Sequence, residues 1–411
     1  MTELVLRAAH GDHVVLNELL TDPTALPPRQ SRYIRRVIVD ATAVVNEPGF
    51  ARAAYAAGAQ LLIDPQTMFL TSPQDPADNW AALPYASHLE VDPRDLRDPA
   101  KRAALVEAVI EFQIDHGATG IIPPYLHLTD FAGCAVEVQR LLIKETAAHL
   151  ADLGLAFPLV PVISVDQRAV SLDPVVWPNA MGKLIRTAQR YATGPLGLGL
   201  SKTTGPNKVN LHTSARIWRR AAKAGPFIAW HAGETGLLAV AMGAEGYEVG
   251  MCGSERYNVR GQQSSRNAPP APGPRYVGTY VDSIGRSLER RAVERLAAVP
   301  GIHQGDLNCL EPTCCPRGFT TTLGEGRRQH AVRSRLRRLE QIDGIGARKW
   351  VLRLLSDQAL DAMASARRIR VAANNTGVRI GANPDELEAM YLVTQSLMAT
   401  ARVGGVGGGV A

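Results

Sequence analysis

Short apolar runs alternate with amphipathic stretches along this chain, and nearly every apolar run ends on a polar residue. Apolar runs of this length, bounded by glycine, proline or polar residues, mark parallel strands buried on both faces. Eight are read, at 37–40, 60–64, 120–123, 159–166, 194–201, 226–234, 247–252 and 301–308. Helical stretches at 50–57, 101–115, 135–153, 178–191, 213–224, 237–242 and 282–299 separate them, each closing on or shortly before a glycine. Helix, glycine, then apolar strand is what a repeated βα unit requires. The pattern predicts the α/β class and a (β/α)₈ TIM barrel, with an open doubly wound sheet as the alternative.

A barrel of this kind takes about 250 residues, so 411 residues hold one barrel and an appendage. The barrel is expected over 1–310, a zinc-linked basic helical segment over 311–400, and a disordered tail over 401–411. Two stretches, 64–97 and 258–278, are rich in proline and polar residues and are expected as long loops, which in such folds tend to carry function. Apolar residues at 45% and charged residues at 20% are ordinary for a globular protein. No signal-peptide core is visible, and no apolar run reaches the roughly 20 residues of a membrane helix. The expectation is a cytoplasmic protein without a membrane partner.

Reacting groups of such barrels sit at the C-terminal ends of strands. Asp40, Asp64 and Asp166 end three of the predicted strands, Tyr125 and His127 follow another, and Ser201 and Lys202 end a fifth. His231 and Glu234 close the sixth, Cys252, Glu255 and Arg256 the seventh, and Asp306 and Asn308 the last. Any one of these could be a satisfied buried group or a cap. A whole ring of them is costly to bury without a ligand or a network. Asp40, Asp64, Asp166 and Glu248 are the candidates for acid–base or nucleophilic work. Lys202, preceded by Gly197 and Gly199, is a weaker candidate for a Schiff base.

Of five cysteines, Cys309, Cys314 and Cys315 fall within seven residues, and His330 follows. An odd cysteine count in a long chain argues against a disulfide scaffold. Three thiols and an imidazole are the donors that zinc prefers, so Cys309, Cys314, Cys315 and His330 are read as a structural zinc site. His330 stands in a basic stretch with Arg327, Arg328, Arg333 and Arg337. Residues 317–370 carry thirteen Lys/Arg against five Asp/Glu, so the rest of the chain stands near −2 out of a net +6. A basic segment beside a near-neutral body points to nucleic acid or to a merely solvated arginine helix.

The segment from about 227 to 338 resembles the tRNA-guanine transglycosylases and their DNA-modifying branch. The resemblance is carried by His231-Ala232-Gly233-Glu234-Thr235, by 241–248 ending in Glu248, by Ser254-Glu255-Arg256-Tyr257-Asn258, and by the order Cys309, Cys314, Cys315, His330. Earlier, Ile63-Asp64-Pro65-Gln66-Thr67 is loosely similar to the family's strand-end aspartate segment. The resemblance implies a zinc-containing barrel that exchanges guanine for a 7-deazaguanine base in tRNA or DNA. Asp64 would be the acid–base and Glu248 the nucleophile. Asp40, Gln66, Asp166, Gly199, Lys202, His231, Glu234 and Arg256 would line the base pocket, and Arg327, Arg328, Arg333 and Arg337 would meet the nucleic acid. The chain departs from the family in cysteine spacing, and the nucleophilic aspartate would fall near Gly250. Glu248 lies two residues earlier, on the same strand face. The rival expectations are a small-molecule lyase or hydrolase and a non-catalytic nucleic-acid-binding barrel.

Overall fold

The computed structural model describes residues 2–403 except 23, 70–77, 89–91, 173–175, 202–206, 252–256, 260–277, 300–301, 303, 319–320, 322 and 325. The strands are β1 (Glu3–Ala8), β2 (Arg36–Asp40), β3 (Gln60–Asp64), β4 (His127–Leu128), β5 (Val162–Asp166), β6 (Leu196–Ser201), β7 (Phe227–Trp230) and β8 (Gly246–Gly250). All pair in parallel in the order β3-β2-β1-β8-β7-β6-β5-β4. Parallel bridges from Leu62 to Gly120 and from Ile121 to Leu159 seat the chain just before β4 between β3 and β5. That contact joins the two ends of the sheet, and the eight strands make a (β/α)₈ barrel.

Alternate residues of a strand face the barrel interior. At the N-terminal end that face carries Glu3, Arg36 and Gln60, with Arg36 ion-paired to Glu3 and donating to Gln60 Oε1 at 2.8 Å. The next layer is apolar, with Val5, Ile38, Leu62 and Ile228 fully buried. The third layer, at the C-terminal mouth, is charged again: Arg7, Asp40 and Asp64. Gly197 lies beside the ring of Trp230, and a Cβ there would come within 2.8 Å of it. The glycines of β6 thus leave the width that this indole fills.

The remaining chain builds a second core. The antiparallel pair β9 (Gly278–Val281) and β10 (Arg286–Glu289) turns through Gly285, whose φ is +67°. Val281, Ile284, Leu288, Val293 and Leu296 pack there against Ala366, Ile369 and Ala373 of helix Arg348–Thr376. That helix stops at Gly377, which is left-handed, just past Asn374 and Asn375, where the polar break lies. Helices Arg327–Asp343 and Pro384–Val403 complete the appendage.

Three strand expectations are corrected. The run at 120–123 makes only isolated parallel bridges at Gly120 and Ile121, and the strand of that unit is His127–Leu128. The first barrel strand is Glu3–Ala8, and the run at 247–252 is the eighth strand, closing onto β1. Residues 301–308 form no strand among those described; Gln304–Leu307 is a single helical turn, and Asp306 there is gripped by Arg368 at 2.6 and 2.8 Å. A polar Gln-Gly-Asp has no place in a strand buried on both faces. The helices form where periodicity and glycine stops place them, at Gly49–Ala56, Pro99–Asp115, Ala135–Asp152, Trp177–Tyr191, Lys208–Ala224 and Gly236–Ala241. In the seventh helical stretch, β10 occupies the early part and the helix is only Arg290–Ala297. The tail at 404–411, most of the loop at 258–278 and parts of the loop at 64–97 lie outside the described residues.

Candidate active site and metal centre

Arg7, the last residue but one of β1, organises the mouth. Its guanidinium is ion-paired to Asp40 of β2, to Asp64 of β3 at 2.8 Å and to Glu248 of β8. Asp40 and Asp64 are register partners, so the pairing of β2 with β3 sets their carboxylates side by side. Below lies Trp230, with the guanidinium 5.5 Å from its ring centroid, a cation–π contact. Asp64 also accepts from Tyr125 Oη at 2.8 Å and from the Gln66 amide at 2.8 Å. Asp64 and Glu248 are fully buried. Burial works against the charge on Arg7, but Glu248, Asp64 and Asp40 outweigh it and hold its pKa well above the usual value. Burial pushes Glu248 up, against the pull of Arg7. Burial, then Asp64, raises Tyr125, so its hydroxyl stays protonated and donates.

His231 follows β7 and sits over Glu248, with Nδ1 3.2 Å from Oε1 and its backbone amide 3.3 Å from Oε2. Burial, then the charge of Arg7, drives the His231 pKa well below the imidazole range. The ring is therefore neutral, and its carboxylate neighbour assigns the proton to Nδ1. Nε2 then carries a lone pair and has no hydrogen-bond partner among the described residues. Tyr257 stacks on this ring at 4.3 Å and 9°, and its hydroxyl meets Ser164 Oγ at 2.6 Å. Ser164 Oγ also meets His127 Nδ1 at 2.8 Å. His231 and Gln66 are the two non-glycine residues with positive φ among those described, both +50°. Such backbone costs about 1–3 kcal/mol each and gathers at functional sites.

The structure thus brings Asp40, Asp64, Glu248 and His231 to one rim. Gln66 is buried beside them, accepting from Trp80 Nε1 at 3.0 Å. Gly199 lies under the Tyr257 ring, 3.0 Å from where its Cβ would be. Asp166 is buried at the end of β5 and accepts from the Arg168 amide. Glu234 turns to a different cluster, where Arg286 lies between it at 2.9 Å and Glu386 at 2.7 Å. Lys202, Cys252, Glu255 and Arg256 lie outside the described residues. Among the described residues a Cβ on Gly250 would meet nothing within 4 Å, so these leave a position open on the rim beside Glu248. Sequence reasoning missed Arg7, Ser164 and Tyr257. The signal for Arg7 was the alternation Glu3-Val5-Arg7, in step with Arg36-Ile38-Asp40.

The second cluster lies in the appendage. One donor atom from each of Cys309, Cys314, Cys315 and His330 falls within 4.8 Å of every other, and all four residues are buried. His330 Nδ1 is 3.4 Å from Cys314 Sγ and 3.3 Å from Cys315 Sγ, and the two sulfurs are 3.9 Å apart. A tetrahedron with bonds of about 2.3 Å to sulfur and 2.0 Å to nitrogen has edges of about 3.8 and 3.5 Å. The residues present therefore fit a four-coordinate metal ion. His330 Nε2 faces the Tyr280 carbonyl at 3.0 Å, the outer contact that fixes a ligating imidazole. Arg337 Nη2 lies 3.6 Å from Cys309 Sγ.

The arginines expected to meet nucleic acid are bound within the protein. Arg328 pairs with Asp12 at 2.8 Å and donates to the Gly11 carbonyl. Arg333 donates to the Ala25, Thr313 and Cys314 carbonyls. Arg337 pairs with Asp282 and Glu311 at 3.2 and 3.7 Å. Arg327 is half-buried at the start of the helix.

No protein-family model matches the chain, and no characterised protein matches it in sequence. Among solved structures, a monomeric dihydrodipicolinate synthase variant is similar over 92% of this chain and 98% of its own, at 9% identity and a TM-score of 0.32. An O-GlcNAc hydrolase mutant of Thermobaculum terrenum is similar over 98% and 96%, at 10% identity and 0.36. The 3-dehydroquinate dehydratase of Aquifex aeolicus VF5 is similar over 66% and 100%, at 8% identity and 0.27. Likeness at this level carries no argument about function, and the fold rests on the strand register above. No helix among the described residues is long and apolar enough to cross a membrane.

Proposed function

We propose that the chain is a transglycosylase-like enzyme that exchanges guanine for a 7-deazaguanine base in DNA or tRNA, with the Arg7 rim as its catalytic centre. The observation that carries this reading is the pair of buried carboxylates, Asp64 and Glu248, held on one guanidinium at a barrel mouth beside the open position at Gly250. In the exchange, the bond from the sugar C1′ to guanine N9 breaks, and guanine leaves with the electron pair and takes up a proton from solvent water. The incoming base then bonds to C1′ through its own N9 and gives up the proton it carried there, so the two proton transfers balance.

The geometry favours exchanging the roles that the resemblance implies. Glu248 is enclosed behind His231, so it orients that ring, and the free Nε2 of His231 accepts the proton of the incoming base. Asp64, with Asp40 beside it, stabilises the positive charge that develops on the sugar. In the appendage, zinc is the metal that three thiolates and one imidazole suit best. Its role there is to tie the 309–315 segment to helix Arg327–Asp343 and β9.

Labelled guanine incubated with the purified protein and either tRNA or duplex DNA tests the reading. Incorporation that disappears in Asp64→Asn supports it, and no incorporation into either nucleic acid ends it. A small-molecule lyase or hydrolase is the second reading. The neutral His231 backed by Glu248 favours it, because that pair would serve any proton abstraction.

A further inference from the structure

Residues 174–233 contain nine Lys/Arg and no Asp or Glu. The fold lays most of this charge on the outer faces of two neighbouring helices, Trp177–Tyr191 and Lys208–Ala224. The groove between them runs from Trp177 and Arg216 to Arg190 and Lys223. Arg186 and Arg190 are one turn apart on the first helix, and Arg216, Arg219 or Arg220, and Lys223 follow the same spacing on the second. A helix of 15 residues is about 22 Å long at 1.5 Å per residue, so the charge forms a stripe rather than a point.

None of Arg186, Arg190, Arg216, Arg219, Arg220 and Lys223 has a carboxylate partner among the described residues. Other arginines of this protein do find acids, as Arg102 finds Glu145 and Arg328 finds Asp12. In the groove, Arg220 lies instead against Gly182, where a Cβ would come within 2.5 Å of its guanidinium. Arg216 lies 5.7 Å above the Trp177 ring. At the floor, both polar side-chain atoms of Gln189 are buried and have no hydrogen-bond partner among the described residues. A concave, single-sign stripe of guanidinium forks over an unsatisfied amide is complementary to a row of phosphates.

We propose that this groove binds the sugar–phosphate backbone of a nucleic acid. The inference is separate from the reaction assigned to the mouth, because binding is read without turnover. A protein that binds through the groove but exchanges no base would end that reading and leave this one standing.

The test is fluorescence anisotropy with a 20-base-pair DNA duplex of arbitrary sequence and a single-stranded RNA of the same length, titrated across potassium chloride concentrations. Six neutralised phosphates give a slope of log affinity on log salt of about −5 for duplex DNA. Replacing Arg186, Arg190, Arg219 and Lys223 together by glutamine should flatten the slope by about 3 to 4. Affinity at moderate salt should fall at least about tenfold. These side chains are exposed and have no carboxylate partner among the described residues, so melting should be unchanged or higher. A triple variant, R186K/R190K/R219K, should keep the wild-type slope. The control removes four exposed arginines on other faces: Arg52, Arg295, Arg367 and Arg370. An unchanged slope in the groove variant, or an equal loss in the control, would overturn the proposal. Binding of the wild-type protein to phosphatidylserine vesicles but to neither nucleic acid would overturn it too.

Discussion

Replacing Arg7 by methionine removes the one cation among the described residues that is ion-paired to Asp40, Asp64 and Glu248, while filling a similar volume. Deleting one partner of a buried ion pair costs about 3–5 kcal/mol, because the charge left behind is uncompensated. Unfolding entropy of about 2.1 cal/mol/K per residue makes 4 kcal/mol worth about 5 °C of melting temperature for this chain. The sign of the pH dependence follows from Glu248. Its folded pKa is raised above 4.5 even with Arg7 present, and removing Arg7 raises it further. A raised folded pKa contributes stability at low pH that is lost as pH rises through the folded value. The deficit of Arg7→Met should therefore be greatest above that value and shrink as pH falls toward 4.5. Urea unfolding at about pH 8 and pH 5 measures both ends. The double variant R7M/E248Q should be more stable than R7M alone at the higher pH. A deficit independent of pH, or a double variant no better than R7M, would refute the account of the rim as a charge cluster held by one guanidinium.

His231→Gln should lower turnover by about 10²–10⁴ with little loss of stability. Because the His231 pKa lies well below 6.5, wild-type activity should stay level down through that pH and fall only in more acid buffer, and a pH–rate profile checks this. The protein as purified should contain one zinc per chain by elemental analysis. Cys309→Ser should lose the metal and melt lower, and a strong chelator should reproduce the loss in the wild type. Gly197→Ala should cost about 1–3 kcal/mol in urea unfolding, since its Cβ would press the Trp230 ring at 2.8 Å.

Asp40, Asp64, Glu248 and His231 were legible in the sequence because each sits in or closes an apolar run, and a parallel barrel brings the ends of such runs together. Arg7 was not, because Glu3 and Arg7 make β1 look like a polar terminus. Both charges become acceptable inside a barrel only when Arg36 meets the first, and Asp40, Asp64 and Glu248 meet the second. Those partners lie 33 to 241 residues away, and no local pattern announces them. The metal cluster was readable for the opposite reason: its donors are close in sequence and their chemistry is specific. Tyr257 falls between these cases, quoted within a motif but with nothing to show that it would stack on His231.

Charge counted along the sequence and charge left unanswered in the fold differ here, for a physical reason. The arginines of helix Arg327–Asp343 are crowded in sequence, so they dominate any running count of charge. Yet Arg328, Arg333 and Arg337 are met by Asp12, Asp282, Glu311 and several carbonyls from other segments. That helix face is an internal seam, and its charge is largely answered before any partner arrives. The cations at 186–223 are thinner in sequence and split between two helices, so they raise no local peak. No acid lies within their span, and the groove that gathers them is a product of the barrel's helix ring. A surface field depends on which charges remain unanswered after folding, so the segment with the lower density of arginine is the one whose cations lack acidic partners among the described residues.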